Sequence, residues 1–270
     1  MPEIVWHWDF LVAYLNGGKD ISRIALFLDF DGTLTPIVRD PFRCSLSDEM
    51  KGILLSLIRC ERVSLSIISG RSLGDLRRRV GLRNIYYAGN HGLDIAGPGM
   101  RFIHPGAVAA LPLIDRAARR LGRAIRNIKG AWLENKKYTV SLHYRGVGRE
   151  EIPFVKRLFY ERIGDFLDDG SLDVIKGKKV IELRPAVAWD KGKAVLSILK
   201  EWSDSLAIFI GDDLTDETAF TALAEKGITI RVGKSGKTSA RYYLERQSDV
   251  TRFLALLLER LSERKRGESE

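Results

Sequence analysis

Cysteine is scarce in this sequence. Cys44 and Cys60 are the only two cysteines among 270 residues, and neither belongs to a CxxC pair or lies near a histidine cluster. Disulfide-stabilised domains and structural zinc sites need several closely spaced cysteine or histidine residues. The sequence therefore excludes a disulfide framework and gives no indication of a zinc site.

Long apolar runs are also missing. No stretch approaches the roughly 18 apolar residues that a membrane-spanning helix needs. Glu3 and Asp9 lie where a signal peptide would carry basic residues, and no small-residue cleavage site precedes the glycines that follow. We therefore expect a cytoplasmic protein whose first 18 residues dock as an amphipathic segment, without a known role.

Positive charge exceeds negative charge, and the net charge is +9. Residues 109–184 hold 17 basic and 10 acidic residues, so most of the excess lies in one internal segment. A basic segment suggests nucleic acid or an acidic membrane as a partner. However, its arginines follow an ordinary amphipathic helix pattern, without interleaved aromatic residues for base stacking. We predict a monomer with neither partner; a basic anion-binding module without catalysis is the alternative from a different class.

Five short β-rich runs stop at small or acidic residues, and helical patterns follow them. The runs are IALFLDFDG, VSLSIISGRS, NIYYAGNHG, LAIFIGDD and ITIRVGKSG. Apolar strands that alternate with helices are typical of a parallel sheet covered on both faces. We predict an α/β fold with a doubly wound parallel sheet, whose ligand binds beyond the carboxyl ends of the strands.

An internal segment has a different pattern, roughly αβαββ, which predicts an α+β layer. We interpret residues 105–185 as an inserted α+β cap that determines substrate specificity. Residues 1–104 and 186–270 would then form the core, with hinges near Pro105 and Pro185.

Pairs of carboxylates end two of the predicted strands. Asp29 and Asp31 alternate at the end of one strand, so their side chains point to the same side, and Asp212 and Asp213 end another. Carboxylates this close repel each other unless a cation or a shared proton relieves them. Because no histidine or cysteine accompanies them, we predict a Mg²⁺ site at these four residues.

Two further residues indicate phosphate. Ser69 supplies a hydroxyl at a third strand end, and Lys191 falls in the first turn of a helix that Asp190 would cap. A cation in that turn opposes the helix dipole at a cost of about 0.3 to 1 kcal/mol, and a bound anion would reverse the sign.

Together these groups predict phosphoryl transfer through an aspartyl intermediate. Asp29 would attack phosphorus, and Asp31 would protonate the leaving oxygen and later deprotonate water. Ser69 and Lys191 would hold the non-bridging phosphate oxygens. We therefore name Asp29, Asp31, Ser69 and Lys191 as the catalytic residues.

At these residues the sequence resembles the haloacid dehalogenase superfamily of phosphatases. Its four signatures appear in order as DFDGT, the Ser69 of IISGR, the Lys191 of DKGKA, and GDDLTDE. Within that superfamily the sequence is similar to the trehalose-6-phosphate phosphatase family, through LDFDGTLTPI, AGNHGLDI, WLENKKYTVSLHYR, GKKVIELRP and GDDLTDETAF. Phe30 replaces a tyrosine that is common in the family, a change that should leave the chemistry intact.

The resemblance implies a phosphatase with Mg²⁺ as cofactor and trehalose 6-phosphate as substrate. It also implies a sugar site shared between core and cap, with His143 matching the family pattern in a less defined role. The residues that match substrate-binding positions of the family are Arg71, Asn90, His91, Glu134, Lys136, Arg145 and Glu182.

Other functions share some of these sequence features. Phosphatases for sucrose phosphate or mannosyl-phosphoglycerate share the core chemistry, so only the cap residues distinguish them. A receiver-like phosphoacceptor domain is near half this length and needs no cap. The loop GKSGKTSA suggests a nucleotide-binding P-loop, but the glycine required five places before Gly236 is Arg231, so we reject an ATPase.

Overall fold

The computed structural model describes residues 6–7, 23–38 and 43–267. The predicted N-terminal segment lies outside these residues except for positions 6 and 7. The chain divides into two compact units, one formed by residues 1–101 with 189–270 and the other by residues 102–188. Within the described ranges, no helix is both long enough and apolar enough to cross a membrane.

The described residues form thirteen strands and eight α-helices. The strands are β1 Trp6–His7, β2 Ile24–Leu28, β3 Val63–Ile68, β4 Tyr86–Gly89, β5 Asp94–Gly97, β6 Met100–Ile103, β7 Trp132–Asn135, β8 Val140–His143, β9 Leu172–Gly177, β10 Val180–Pro185, β11 Leu206–Gly211, β12 Gly227–Val232 and β13 Tyr242–Leu244. The helices are α1 Asp48–Ile58, α2 Leu73–Val80, α3 Pro105–Ala109, α4 Leu111–Ile125, α5 Ile152–Asp168, α6 Lys191–Leu199, α7 Glu217–Leu223 and α8 Ser248–Gly267.

A largely parallel sheet forms the centre of the first unit. Its strand order is β1-β13-β12-β11-β2-β3-β4-β5-β6. Every pair of neighbouring strands in this order, from β1 as far as β4, is parallel. Every residue of β2 and β3 is buried, as expected for strands covered on both faces. The five predicted strands correspond to β2, β3, β4, β11 and β12, and the predicted α/β fold class is confirmed.

Four strands of this sheet were not predicted: β1, β5, β6 and β13. They contain two to four residues each, too few to establish a period-two pattern. β5 continues the sheet antiparallel to β4. Gly99, at φ +68°, lies in the turn between β5 and β6, where a side chain would strain the backbone.

Two capped helices begin close to strand ends. The Ser72 hydroxyl accepts a hydrogen bond from the backbone N–H of Asp75 at the start of α2. The Asp190 carboxylate accepts one from the N–H of Lys193 at the start of α6. The second cap matches the prediction from sequence and confirms that Lys191 lies in the first helical turn.

The second unit is an α+β layer. Its antiparallel sheet has the order β7-β8-β10-β9, and apolar residues of α4, α5 and the sheet form its own core. The predicted order αβαββ lacked α3 and β7. β7 escaped prediction because its residues are only partly buried and alternate poorly in polarity. The specificity role and the boundaries 105–185 assigned to the cap remain predictions.

Candidate active site

The two acidic strand ends are neighbours in the sheet. β2 pairs in parallel with β11, with Leu28 opposite Ile210, and the N–H of Asp29 donates to the carbonyl of Ile210. Asp29 and Asp212 therefore follow adjacent strands at one edge of the sheet. Asp29 and Asp212 are both buried.

A third carboxylate completes the acidic group. Oxygen atoms of Asp29, Asp212 and Asp216 all lie within 4.8 Å of one another. Asp216 is fully buried, and one of its oxygens accepts a 2.8 Å hydrogen bond from the N–H of Asp213. Asp216 was not among the site residues predicted from sequence. Asp216 lies three residues after Asp213, just before α7, and this is the spacing of a capping box. That spacing was the sequence signal from which Asp216 could have been predicted.

The structure does not place the side chains of Asp31 and Asp213 in this carboxylate group. Asp31 is paired with Arg71, and Asp213 is half-buried at the start of the following 3₁₀ turn. Their assignment as metal ligands therefore remains a prediction from sequence.

Lys191 lies between two of the clustered carboxylates. Its Nζ donates to Asp29 Oδ1 and to Asp216 Oδ1, each at 2.7 Å, and the residue is 2% exposed. These two ion pairs explain how a lysine is accommodated in the first turn of a helix, where the dipole alone disfavours it.

Burial and charge shift the titration of both partners. Burial lowers the pKa of Lys191, but Asp216 and Asp29 outweigh it and hold that pKa above its ordinary value. Burial raises the pKa of Asp29 well above its ordinary range; Lys191 opposes this shift, whereas Asp216 and Asp212 add to it. The cluster therefore holds three carboxylates and one ammonium group, and it favours additional positive charge.

The donor atoms suit a hard divalent cation. Carboxylate oxygens are the preferred ligands of Mg²⁺, and the group contains three of them without nitrogen or sulfur. Gly32, at φ +92°, allows the turn after β2 to pack against the Asp212 carboxylate, which a Cβ atom at that position would overlap. The three clustered carboxylates therefore fit a site for a hard divalent cation.

Asp31 is held by a two-point ion pair with Arg71. Arg71 Nε donates to Asp31 Oδ2 at 2.7 Å, and Nη2 donates to Oδ1 at 2.6 Å. Arg71 also contacts Asp75 at 2.9 Å. The Asp31 side chain is 41% exposed, so this candidate acid–base group remains accessible at the rim of the buried cluster.

The turn after β3 brings four predicted site residues together. Ser69 is buried, and its backbone N–H donates to the carbonyl of Ala88. The Ser69 hydroxyl accepts a 3.2 Å hydrogen bond from the backbone N–H of Arg71. The N–H groups of Asn90 and His91 donate to the carbonyls of Arg71 and Ser69.

Asn90 and His91 both adopt positive φ values. The His91 ring lies against Gly70, where a Cβ atom would come within 2.6 Å of it. The absence of a side chain at Gly70 therefore leaves room for the histidine ring.

The second unit contains a buried polar group on its sheet. Lys136 Nζ and Ser141 Oγ both donate to Glu182 Oε2, at 2.6 and 2.8 Å. Lys136 and Glu182 are among the buried charged residues. Both were predicted from sequence as substrate-binding residues, whereas Ser141, which lies within the motif WLENKKYTVSLHYR, was not.

A second polar pair lies on β7 and β8. His143 Nε2 and Glu134 Oε2 are 2.9 Å apart, and the His143 ring stacks on Trp132 with centroids 3.9 Å apart. Arg145 is exposed and donates to the carbonyl of Lys178.

The family model for trehalose-phosphatase matches residues 27–248. The chain belongs to the trehalose-phosphatase family. Members of this family are phosphoric monoester hydrolases, so the predicted enzyme class and the predicted resemblance are both confirmed.

Relatives cover most of the chain. The probable trehalose-phosphate phosphatase D of Arabidopsis thaliana is 40% identical over 92% of this chain and 70% of its own length. The trehalose-phosphate phosphatase of Mycobacterium marinum is 37% identical over 91% of this chain and 64% of its own length. The C-terminal domain of Candida albicans trehalose-6-phosphate phosphatase superposes with a TM-score of 0.82 at 25% identity, covering 96% of this chain and 99% of that domain.

Proposed function

We propose that this protein hydrolyses trehalose 6-phosphate to trehalose and inorganic phosphate. The observation that carries the proposal is the buried cluster of Asp29, Lys191, Asp212 and Asp216 in a chain of the trehalose-phosphatase family. Such a cluster combines a candidate nucleophile with charges that a phosphoryl group would engage.

In the proposed reaction, an Asp29 oxygen forms a bond to phosphorus while the bond from phosphorus to the sugar oxygen breaks. Asp31 donates a proton to that oxygen, and trehalose leaves. Asp31 then removes a proton from a water molecule, which attacks phosphorus and releases Asp29 and phosphate. Ser69 and Lys191 hold the non-bridging oxygens in both steps.

A divalent cation belongs to this proposal. The carboxylates of Asp29, Asp212 and Asp216 support a Mg²⁺ site, and Asp31 and Asp213 are the other ligands proposed from sequence. When bound, the cation offsets negative charge on the transferring phosphoryl group.

We assign recognition of the sugar to the cap, residues 105–185, which lies within the second unit. Four charged side chains would engage the sugar hydroxyls: Glu134, Lys136, Arg145 and Glu182. A carboxylate can accept hydrogen bonds from two hydroxyls at once. Arg71, Asn90 and His91 of the first unit are the other substrate-binding residues that we propose from the family resemblance.

The proposal is tested by phosphate release from a panel of esters. With Mg²⁺ present, we expect release from trehalose 6-phosphate to exceed release from glucose 6-phosphate, sucrose 6-phosphate and mannosyl-phosphoglycerate. Removal of divalent cations with EDTA should reduce release to the background rate, because the acidic cluster then lacks its counter-charge. Preference for another ester would refute the assignment of trehalose 6-phosphate as the substrate. If none of the esters is hydrolysed, the proposed phosphatase mechanism is refuted.

The cap assignment predicts a selective loss in Glu182→Gln. We expect kcat/KM for trehalose 6-phosphate to fall about 100-fold, because a charged hydrogen-bond acceptor for sugar hydroxyls is lost. Hydrolysis of p-nitrophenyl phosphate, which has no sugar, should stay within about threefold of the wild type. Glu161→Gln, a change of an exposed glutamate on α5, serves as the control. Equal losses on both substrates would contradict sugar recognition by Glu182.

A further inference from the structure

The turn that carries Asp212 and Asp216 is anchored from the neighbouring strand. Arg231 lies on β12 opposite Gly211, the last residue of β11. Its Nη2 donates to the backbone carbonyl of Asp212 at 2.9 Å. Its Nη1 donates to Glu217 Oε1 at 2.7 Å. One guanidinium therefore contacts the turn at Asp212 and again immediately after Asp216.

Glu217 is itself held from a second direction. Its other oxygen, Oε2, accepts a 2.7 Å hydrogen bond from the N–H of Ser239. The Ser239 hydroxyl in turn accepts a 3.2 Å hydrogen bond from Thr221 on α7. Ser239 belongs to the loop GKSGKTSA, whose resemblance to a P-loop has no role in the proposed reaction. In this structure the loop fixes the carboxylate that Arg231 binds.

The turn has little freedom to rearrange on its own. A Cβ atom at Gly211 would overlap the Asp216 carboxylate, and the N–H of Asp213 is bonded to that same carboxylate. The side chains of Arg231 and Glu217 are only 17% and 19% exposed, so their ion pair is shielded from solvent. A planar guanidinium can hold two acceptors at a fixed separation, which a lysine ammonium does less well.

From these contacts we infer that Arg231 is a positioning residue for the metal site, holding Asp212 in place through a guanidinium shared with Glu217. Arg231 contacts the backbone of Asp212, so we assign it a role that acts through that residue. The inference rests on the proposed function only in assuming that a divalent cation binds the acidic cluster. Groups that orient metal ligands from outside change metal affinity by about 10- to 100-fold when they are removed.

Metal affinity can be measured directly, without substrate. Mn²⁺, a hard divalent cation with an EPR signal, is titrated into the metal-free full chain, and the loss of the free-ion signal gives its dissociation constant. We expect Arg231→Met to weaken Mn²⁺ binding about 10-fold. Arg231→Lys should restore only part of the affinity, because one ammonium cannot reproduce the two-point contact.

Arg101→Met is a matched control. Arg101 Nη1 donates to the Asp94 carboxylate and to the carbonyl of Ile95, so it also bridges a carboxylate and a backbone acceptor. Its removal should lower the melting temperature without changing the Mn²⁺ dissociation constant more than about twofold. A general loss of packing would instead weaken Mn²⁺ binding in both variants.

The shared contact also predicts coupling between two residues. Glu217→Gln should weaken Mn²⁺ binding on its own, and the double variant with Arg231→Met should be less affected than the two single effects combined. If Arg231→Met does not fold, Arg231→Lys and Glu217→Gln decide the question, since both preserve side-chain size more closely.

Two failures are distinguishable. Wild-type protein that binds no Mn²⁺ would contradict the metal site of the proposed function. Wild-type binding that Arg231→Lys and Glu217→Gln leave unchanged, or effects that simply multiply in the double variant, would overturn the positioning role alone.

Discussion

Replacing Asp29 with asparagine is expected to reduce phosphate release from trehalose 6-phosphate by at least about 10⁴-fold. The change removes the proposed nucleophile while preserving the size of the side chain. The amide oxygen of asparagine can still accept the hydrogen bond that Lys191 donates to Asp29 Oδ1 in the wild type. The loss should therefore appear in kcat, with substrate binding retained within a few-fold.

Acid quenching of a reaction with ³²P-labelled substrate tests the same residue directly. Wild-type protein should carry label that is released by alkali, as an acyl phosphate would be, whereas Asp29→Asn should carry none. Asp204→Asn is the control, because Asp204 is an exposed carboxylate just before β11. Label on the Asp29→Asn protein, or more than about 1% of wild-type turnover in a preparation free of contaminating phosphatase, would contradict the nucleophilic role.

Replacing Lys191 with methionine should produce the second large effect, on both rate and stability. The lysine ammonium is 2.7 Å from carboxylate oxygens of both Asp29 and Asp216, and all three residues are buried. Removing one partner of a buried ion pair leaves uncompensated charge, at a cost of about 3 to 5 kcal/mol in the free energy of unfolding. Loss of a cation that would hold phosphate oxygens should lower kcat by about 10²- to 10³-fold.

Urea denaturation in EDTA measures the change in the free energy of unfolding, and phosphate release with saturating Mg²⁺ measures the change in kcat. Mg²⁺ should raise the unfolding midpoint of Lys191→Met, because a cation bound only by the folded state stabilises it. Lys193→Met provides a matched control in the same helical turn, since Lys193 is exposed. An unfolding free energy for Lys191→Met within about 1 kcal/mol of Lys193→Met would contradict the buried ion-pair geometry.

Site residues were predictable where a strand end and a polar residue coincide. Asp29, Ser69 and Asp212 follow apolar runs, and parallel strands place their carboxyl ends at one edge of the sheet. Lys191 was identified because a cation in the first turn of a capped helix is locally unfavourable. Each of these signals lies within a short stretch of sequence.

Asp216 and Arg231 carried no comparable local signal. Asp216 follows a strand only after a turn, and its proximity to Asp29 depends on the path of the chain between Gly211 and Glu217. Arg231 appeared in the sequence only as the wrong residue for a P-loop. Its contact with Asp212 depends on β11 and β12 being neighbours in the sheet.

The sequence by itself determined the α/β class, the five main strands of the sheet and membership of a phosphatase family, because apolar periodicity and motif spacing are local properties of the chain. Tertiary structure alone decided which carboxylates meet, that Lys191 joins Asp29 to Asp216, and that Glu182 is shared by Lys136 and Ser141. These contacts join residues far apart in sequence. Their distances follow from strand order and turn geometry, which no short stretch of the chain encodes.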